Sequence, residues 1–247
     1  MIYDVYLQVK RTGRTHAHVP DLPGCNWLAD TPEAAWDRAV ECISAHTAWL
    51  RKYSQPALTE SEPVTPRLAQ KHKSTAREGH LVGFFESDRD PVLPAEITCF
   101  LELMACARAE LLSIVRDLPE ETLDWKPDPG SWSVQETLRH VAGAERWYLT
   151  RILEPADIPD FKPCRSVWQR LEIVRESVLE RLKGLSEPEL SKVVADKSGE
   201  LWSARKVFRR YLEHEREHTA HIQEILCNTS ARLSKRTSIE NTSRMKA

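Results

Sequence analysis

Residues 203–226, SARKVFRRYLEHEREHTAHIQEIL, read as one long helix carrying three histidines, His214, His218 and His221. At helical spacing Val207, Tyr211, His214, His218, Ile222 and Ile225 share one side. Two imidazoles therefore stand where core residues belong, and burying an unpaired polar group there costs on the order of a few kcal/mol. Four residues apart, their Cβ atoms lie about 5–6 Å from each other. That separation suits a single metal ion with bonds of about 2.0–2.1 Å to nitrogen. The string His214-Glu215-Arg216-Glu217-His218 also matches H-E-x-x-H, the zinc metalloprotease motif. A protease of that type needs a third ligand from elsewhere in the fold. His221, on the same helix, stands too close to supply it, so the metal reading is kept without the protease.

Three more amphipathic helices precede this one. Pro94 opens the first, with Ile97, Leu101, Met104, Arg108, Leu111 and Val115 at the 3–4 spacing. Residues 133–136, SVQE, form a capping box that starts the second, through Leu138, Val141, Glu145, Leu149 and Ile152. Residues 166–169, SVWQ, repeat the pattern before a third helix that buries Val167, Leu171, Val174, Val178 and Leu182. Residues 186–203 read as a crossover with at most one short helix. Four such helices with one longer connection predict an all-α four-helix bundle over residues 94–228, a fold that places metals between facing helices. Residues 229–247 are polar and basic without periodicity, which predicts a disordered basic tail.

The first 55 residues have a different texture. Tyr3, Val5, Leu7 and Val9 alternate with polar neighbours, a strand pattern. Residues 15–19 can return as a second strand, and 26–29 as a third. Thr31-Pro32 then starts a helix, with Thr as N-cap and Pro in the first turn; Trp36, Val40, Ile43, Thr47 and Leu50 are its expected buried face. The unit is α+β, in the order β-β-β-α. Residues 56–93 are punctuated by prolines and read as a linker with short strands at 64–68 and 81–85.

Composition bounds the rest. A chain of 247 residues fits one large domain or two smaller ones. Its net charge of −2 gives no general attraction to nucleic acid or anionic membrane. No apolar run is long enough to span a bilayer, and the N-terminus, MIYDVYLQVKR, lacks the order of a signal peptide. Six scattered cysteines without a CxxC pair read as reduced packing residues. The expectation is a cytoplasmic protein.

Residues 95–227 resemble the DinB-like (DinB/YfiT-type) family. The resemblance is carried by LPEETLDWKPDPGSWSVQETLRHVAGAERWYL and WSARKVFRRYLEHEREHTAHIQEIL: a tryptophan-serine helix start, a histidine seven residues after the serine, and two histidines four apart on the last helix. It implies a four-helix bundle that binds a divalent metal (Zn, Ni or Fe) through positions that fall here on His140, His214 and His218. Read by itself, His140 lies off its helix's main apolar stripe, beside Thr137, Ala144 and Trp147, and a surface histidine serves that position equally well. His221 stands where the family often has glutamine, so it could compete as a ligand or support one. Three neutral imidazoles leave coordination positions open, the layout of a catalytic site in which bound water can be activated. Glu145 and Glu215 are the candidates to orient a ligand ring or accept a proton, and Trp147 and Tyr211 to line the pocket.

The family also implies a metal-dependent enzyme of thiol S-transferase or hydrolase type, acting on a small molecule such as a low-molecular-weight thiol. Near the N-terminus, AHVPDLPGC followed by DTPEAAWDRAVECI resembles the partial ferredoxin-like domain of HicB-type antitoxins. Apart from that resemblance, the unit reads as a small structural or dimerising domain, and a homodimer is expected. Two alternatives stand beside the enzyme: a non-catalytic metal- or ligand-binding protein with this unit as its dimerisation module, and a toxin–antitoxin-type regulator suggested by the N-terminal resemblance alone.

Overall fold

The computed structural model describes residues 1–53, 63–73, 83–154 and 166–244, with side chains described as far as residue 228. Strand β1 (Ile2–Val9) buries Tyr3, Val5 and Leu7 by simple alternation. It pairs antiparallel with β2 (Thr15–His18), with Leu7 opposite Ala17, and β2 pairs antiparallel with β3 (Asn26–Ala29). Lys10 closes the β1–β2 turn through both of its backbone groups: its N–H donates to the Arg14 carbonyl, and its carbonyl accepts from the Gly13 N–H, each at 2.9 Å.

Thr31 caps the following helix as expected, its hydroxyl accepting from the Ala34 N–H at 3.1 Å. The helix then breaks. α1 (Pro32–Asp37) ends at Arg38 and α2 (Ala39–Lys52) begins at once. The break shifts the buried face by a residue, so Ala35, Ala39, Ile43, His46, Thr47, Trp49 and Leu50 are buried while Trp36 and Val40 of the expected face are exposed.

The linker is corrected in part. Residues 65–73 form β4 (Thr65–Lys73), which lies parallel to β1 and completes a mixed sheet in the order β3-β2-β1-β4. The strand expected at 64–68 is therefore present and runs on to residue 73, through a polar second half, AQKHK, that offers no apolar alternation to read. Pro66 is tolerated because the strand is at the sheet edge, where a missing N–H leaves no ladder bond unmade. Of the second expected strand, residues 81 and 82 lie outside the described residues, and 83–85 lead without strand structure into a 3-10 turn at Glu86–Arg89.

The bundle is built from α3 (Pro94–Val115), α5 (Val134–Leu149), α6 (Val167–Lys183) and α8 (Ala204–Arg244). α8 packs against α3 and α5, and α6 against the same two from the other side. Short α4 (Glu120–Asp124) and α7 (Glu187–Ser191) sit in the connections, and β5 (Val193–Ala195) pairs with β6 (Leu201–Ser203) in the crossover. The Ser133 capping box forms as expected: Ser133 Oγ accepts from the Glu136 N–H at 3.2 Å, and the Glu136 carboxylate from the Ser133 N–H at 2.9 Å. At α6, Ser166 takes the N-cap position without a side-chain cap bond. The expected disordered tail is also corrected, since α8 runs through Arg244. No glycine or proline occurs after residue 199 to stop it.

One apolar core runs from the sheet into the bundle, joining Val5, Leu7 and Ile43 to Phe100, Phe208 and Leu212. A second cluster, around Leu111, Val134, Leu138 and Ile222, fills the far half of the bundle. The N-terminal unit is thus packed onto α8 rather than tethered to it. Gly24 marks a close approach: φ is +87°, and a Cβ there would stand 3.1 Å from Arg216 Cδ and 3.3 Å from Leu212 Cβ. Beside it Trp49 Nε1 donates to Glu110 at 2.8 Å, and the Arg216 guanidinium lies 4.0 Å from the Trp49 ring centre. Cys25, Cys42, Cys99, Cys106 and Cys227 are free thiols, and no helix among the described residues is long and apolar enough to cross a membrane.

Candidate metal centre

The capped start of α5 at Ser133, seven residues before His140, and the i, i+4 pair on α8 bring three imidazoles to one point. His140 Nε2 lies 3.0 Å from His214 Nε2, and His218 Nε2 lies 3.1 Å from the same atom. One ligand atom from each ring falls within 4.8 Å of the other two. Hydrogen bonding alone does not account for this. A neutral imidazole nitrogen has one proton or one lone pair to offer, so His214 Nε2 can engage only one of its two neighbours. A cation would engage all three, and the 3.0 and 3.1 Å separations from His214 are close to the about 3.3 Å expected between tetrahedral ligands bonded at about 2.0–2.1 Å.

The electrostatics favour the same state. Burial, and then the neighbouring His218, Arg210 and His140, hold His214 well below the usual imidazole range. Burial and His140 push His218 down to about 4, and burial lowers His140. The rings are therefore neutral at pH 7, as ligands must be. The donor set fits a divalent ion of the zinc, nickel or ferrous type. Buried His218 Nδ1 has no hydrogen-bond partner among the described residues, so packing helps to hold that ring. Trp132 supplies some of it, stacking at 6.1 Å on His218 and lying 4.7 Å from His140 between ring centres. His221 stays outside the cluster, its ring centre 6.2 Å from that of His218.

The two carboxylates singled out in the sequence are elsewhere. Glu145 and Glu215 turn into the bundle and meet Arg108 of α3 and Arg175 of α6. Arg175 Nη2 lies 2.6 Å from Glu145 and 2.5 Å from Glu215, and Arg108 bonds both carboxylates. The guanidinium groups also reach backbone, Arg175 to the Met104 carbonyl at 2.9 Å and Arg108 to that of Leu171 at 3.2 Å. Burial alone would raise the Glu215 carboxyl, but Arg108 and Arg175 outweigh it and lower it. Each of the four bundle helices contributes one member. Both carboxylates are consumed by this quartet, which explains why neither reaches the histidines and why the H-E-x-x-H match carries no protease chemistry. Tyr211 belongs to the same interior, its hydroxyl donating to the Glu145 carbonyl at 2.8 Å.

Residues 104–222 match the family model of the DinB superfamily. The match covers 119 of the chain's 247 residues, all of them within the helical bundle. Among solved structures the chain is similar to YfiT from Bacillus subtilis, described as a probable metal-dependent hydrolase with an unusual four-helix bundle topology. The two share 16% identity over 60% of this chain and 95% of that one, with a TM-score of 0.45. It is also similar to TT2238, a four-helix bundle protein, at 18% identity over 52% of this chain and 98% of that one, with a TM-score of 0.42. No curated protein matches the chain significantly.

The three histidines open on a cavity of ≈ 530 Å³. Trp147 and Tyr148 line it from α5, and Arg210 and Glu217 from α8. Gln8, Lys10, His16 and Leu28 close it from the N-terminal sheet. Arg210 and Glu217 were legible from spacing, since 210, 214, 217, 218 and 221 fall on one helical face; the sheet residues were not, because only docking brings them here. Glu217 accepts from Arg210 at 2.9 Å and lies 3.4 Å from His16 Nε2. Although burial raises it, Arg210 and His16 outweigh that and lower its carboxyl, which is ionised at neutral pH. A parallel network ties the two halves together: His18 Nδ1 meets Glu213 at 2.8 Å, and Arg209 grips Asp88 at 2.8 and 3.0 Å. His221 faces a second cavity, shared with Arg14, Arg38 and His46.

Proposed function

We propose that this protein is a metal-dependent enzyme of the thiol S-transferase or hydrolase type, acting on a small molecule in the cavity above His140, His214 and His218. The observation that carries this reading is the convergence of three neutral imidazole nitrogens at the floor of a cavity of small-molecule size. The three rings would hold one divalent ion, zinc, nickel or iron. Such an ion supplies Lewis acidity, which lowers the pKa of a coordinated hydroxyl or thiol group.

The chain's own residues do the remaining work. Glu217, ionised and fixed by Arg210, is the carboxylate placed to accept a proton or a hydrogen bond from a substrate in the cavity. Arg210 also donates to the Tyr148 hydroxyl at 3.3 Å, which orients that group on the wall. No cysteine lines this cavity among the described residues, so a thiol taking part in the reaction would arrive with the substrate. The antitoxin-like reading of the N-terminal unit, and a homodimer built on it, have no observation in their favour comparable to the histidine centre.

The test is turnover. Protein loaded in turn with zinc, nickel or ferrous iron is assayed for ester and amide hydrolysis and for thiol addition to electrophiles. Activity that requires metal and is lost in His218→Ala and Glu217→Gln supports the reading. Equal activity with and without metal overturns it.

A further inference from the structure

The opening hairpin places an unpaired cation over the histidine cavity. Lys10 follows β1, and its N–H and carbonyl are both held in the turn, so its position is set by the sheet. Its side chain lines the same cavity as the three histidines, and its ammonium group has no partner among the described residues. The other charged wall residues are already matched, since Arg210 bonds Glu213 at 2.8 Å and Glu217 at 2.9 Å. Among the lysine, arginine and carboxylate groups lining the cavity, Lys10 is the one left uncompensated by a described residue. Two large apolar side chains line the cavity too and remain open, Trp147 at 40% and Leu28 at 37% exposure. An apolar surface beside a spare cation matches a ligand with a nonpolar body and one acidic group.

We propose that the cavity binds a small organic anion whose acidic group pairs with Lys10 and whose apolar body lies along Trp147 and Leu28. This rests on the reading of the cavity as the substrate site of the metal centre. It also gives the N-terminal sheet a role that the bundle cannot fill: α5 and α8 hold the three histidines, while β1 and β3 supply residues that choose the substrate. A specificity element reached only by tertiary docking would let the same bundle serve different substrates under different covers.

The experiment is calorimetric titration of the full-length, zinc-loaded protein with 4-phenylbutyrate and with its neutral amide, 4-phenylbutyramide, the metal content of each sample being measured separately. The variants are Lys10→Met, Lys10→Glu and Trp147→Ala. The parent is expected to bind the carboxylate about three- to tenfold more tightly than the amide, in the range of partly exposed ion pairs. That preference should shrink as salt rises from about 0.05 to about 0.5 M. Lys10→Met should lower it, Lys10→Glu should lower it further, and Trp147→Ala should weaken both probes.

A carboxylate that merely ligated the metal would keep its preference in Lys10→Met, and that result overturns the proposal. Equal binding of the two probes by the parent, or no binding of either, overturns it as well. Loss of metal from the parent would count against the metal centre instead, and the dependence on Lys10 is read in the same titration either way.

Discussion

Replacing Arg175 by methionine probes what holds the four bundle helices in register. Arg175 and Arg108 neutralise Glu145 and Glu215 in a place where all four side chains are at most 9% exposed. Removing one guanidinium leaves two carboxylates facing one cation, a net negative charge without water to hydrate it. Breaking a buried ionic group in this way costs about 3–5 kcal/mol. For a chain of this size each kcal/mol lowers the melting temperature by about 2–4 °C, so Arg175→Met should melt about 6–20 °C below the parent. Glu215→Gln added to Arg175→Met restores charge balance with Arg108 and Glu145, and should recover part of the loss. Melts are followed by circular dichroism at pH 7 with chelator present, so that metal binding does not contribute. A single variant within about 2 °C of the parent, or a double variant no better than the single, would refute the quartet as a structural unit.

Three further perturbations test the packing and the buried charges. Gly24→Ala puts a side chain at a positive φ, which costs about 1–2 kcal/mol, and against Arg216 and Leu212 besides; an unchanged urea midpoint would show that the loop yields freely. Ser133→Ala removes the α5 cap, at about 1 kcal/mol, and Ser133→Asp should restore most of it in the same melt. Burial pushes His18 and His46 each down to about 3, below the ordinary value of about 6.5 in the unfolded chain. Because the unfolded state then binds protons more tightly, their contribution is complete above about pH 6.5 and is lost as pH falls toward 3. The urea midpoint should drop between pH 7 and pH 5, before Glu213, Glu215 and Glu217, all lowered, begin to protonate. A midpoint that stays level over that interval contradicts the neutral burial of both rings.

The bundle was legible because its helices announce themselves locally. Pro94 in the first turn of α3, the Ser133 cap of α5 and a 3–4 apolar spacing show where helices begin and which side they bury. The histidine pair could be read for the same reason, since two imidazoles in an apolar stripe need a shared partner to be buried there. His140 needed the family pattern, because its own neighbours on α5 allow a surface role. Glu145 and Glu215 were misplaced for a physical reason. Their partners, Arg108 and Arg175, sit on other helices, and a carboxylate's partner cannot be read from its own helix. β4 was read only as far as residue 68, because its second half is polar, and the broken helix at Arg38 was hidden by a phase shift of one residue. The cavity's second wall was illegible altogether, because Lys10, His16 and Leu28 reach the histidines only through the docking of the sheet on α8.

The central claim is that His140, His214 and His218 form one metal site and His221 stands outside it. Metal content per chain, measured by inductively coupled plasma mass spectrometry on the parent and on the four single alanine variants, tests it most directly. About one divalent ion per chain is expected in the parent and in His221→Ala, with loss of stoichiometric metal in His140→Ala, His214→Ala and His218→Ala. Metal retained in His214→Ala but lost in His221→Ala would contradict the ligand set, and a parent that stays metal-free after loading would contradict the site itself.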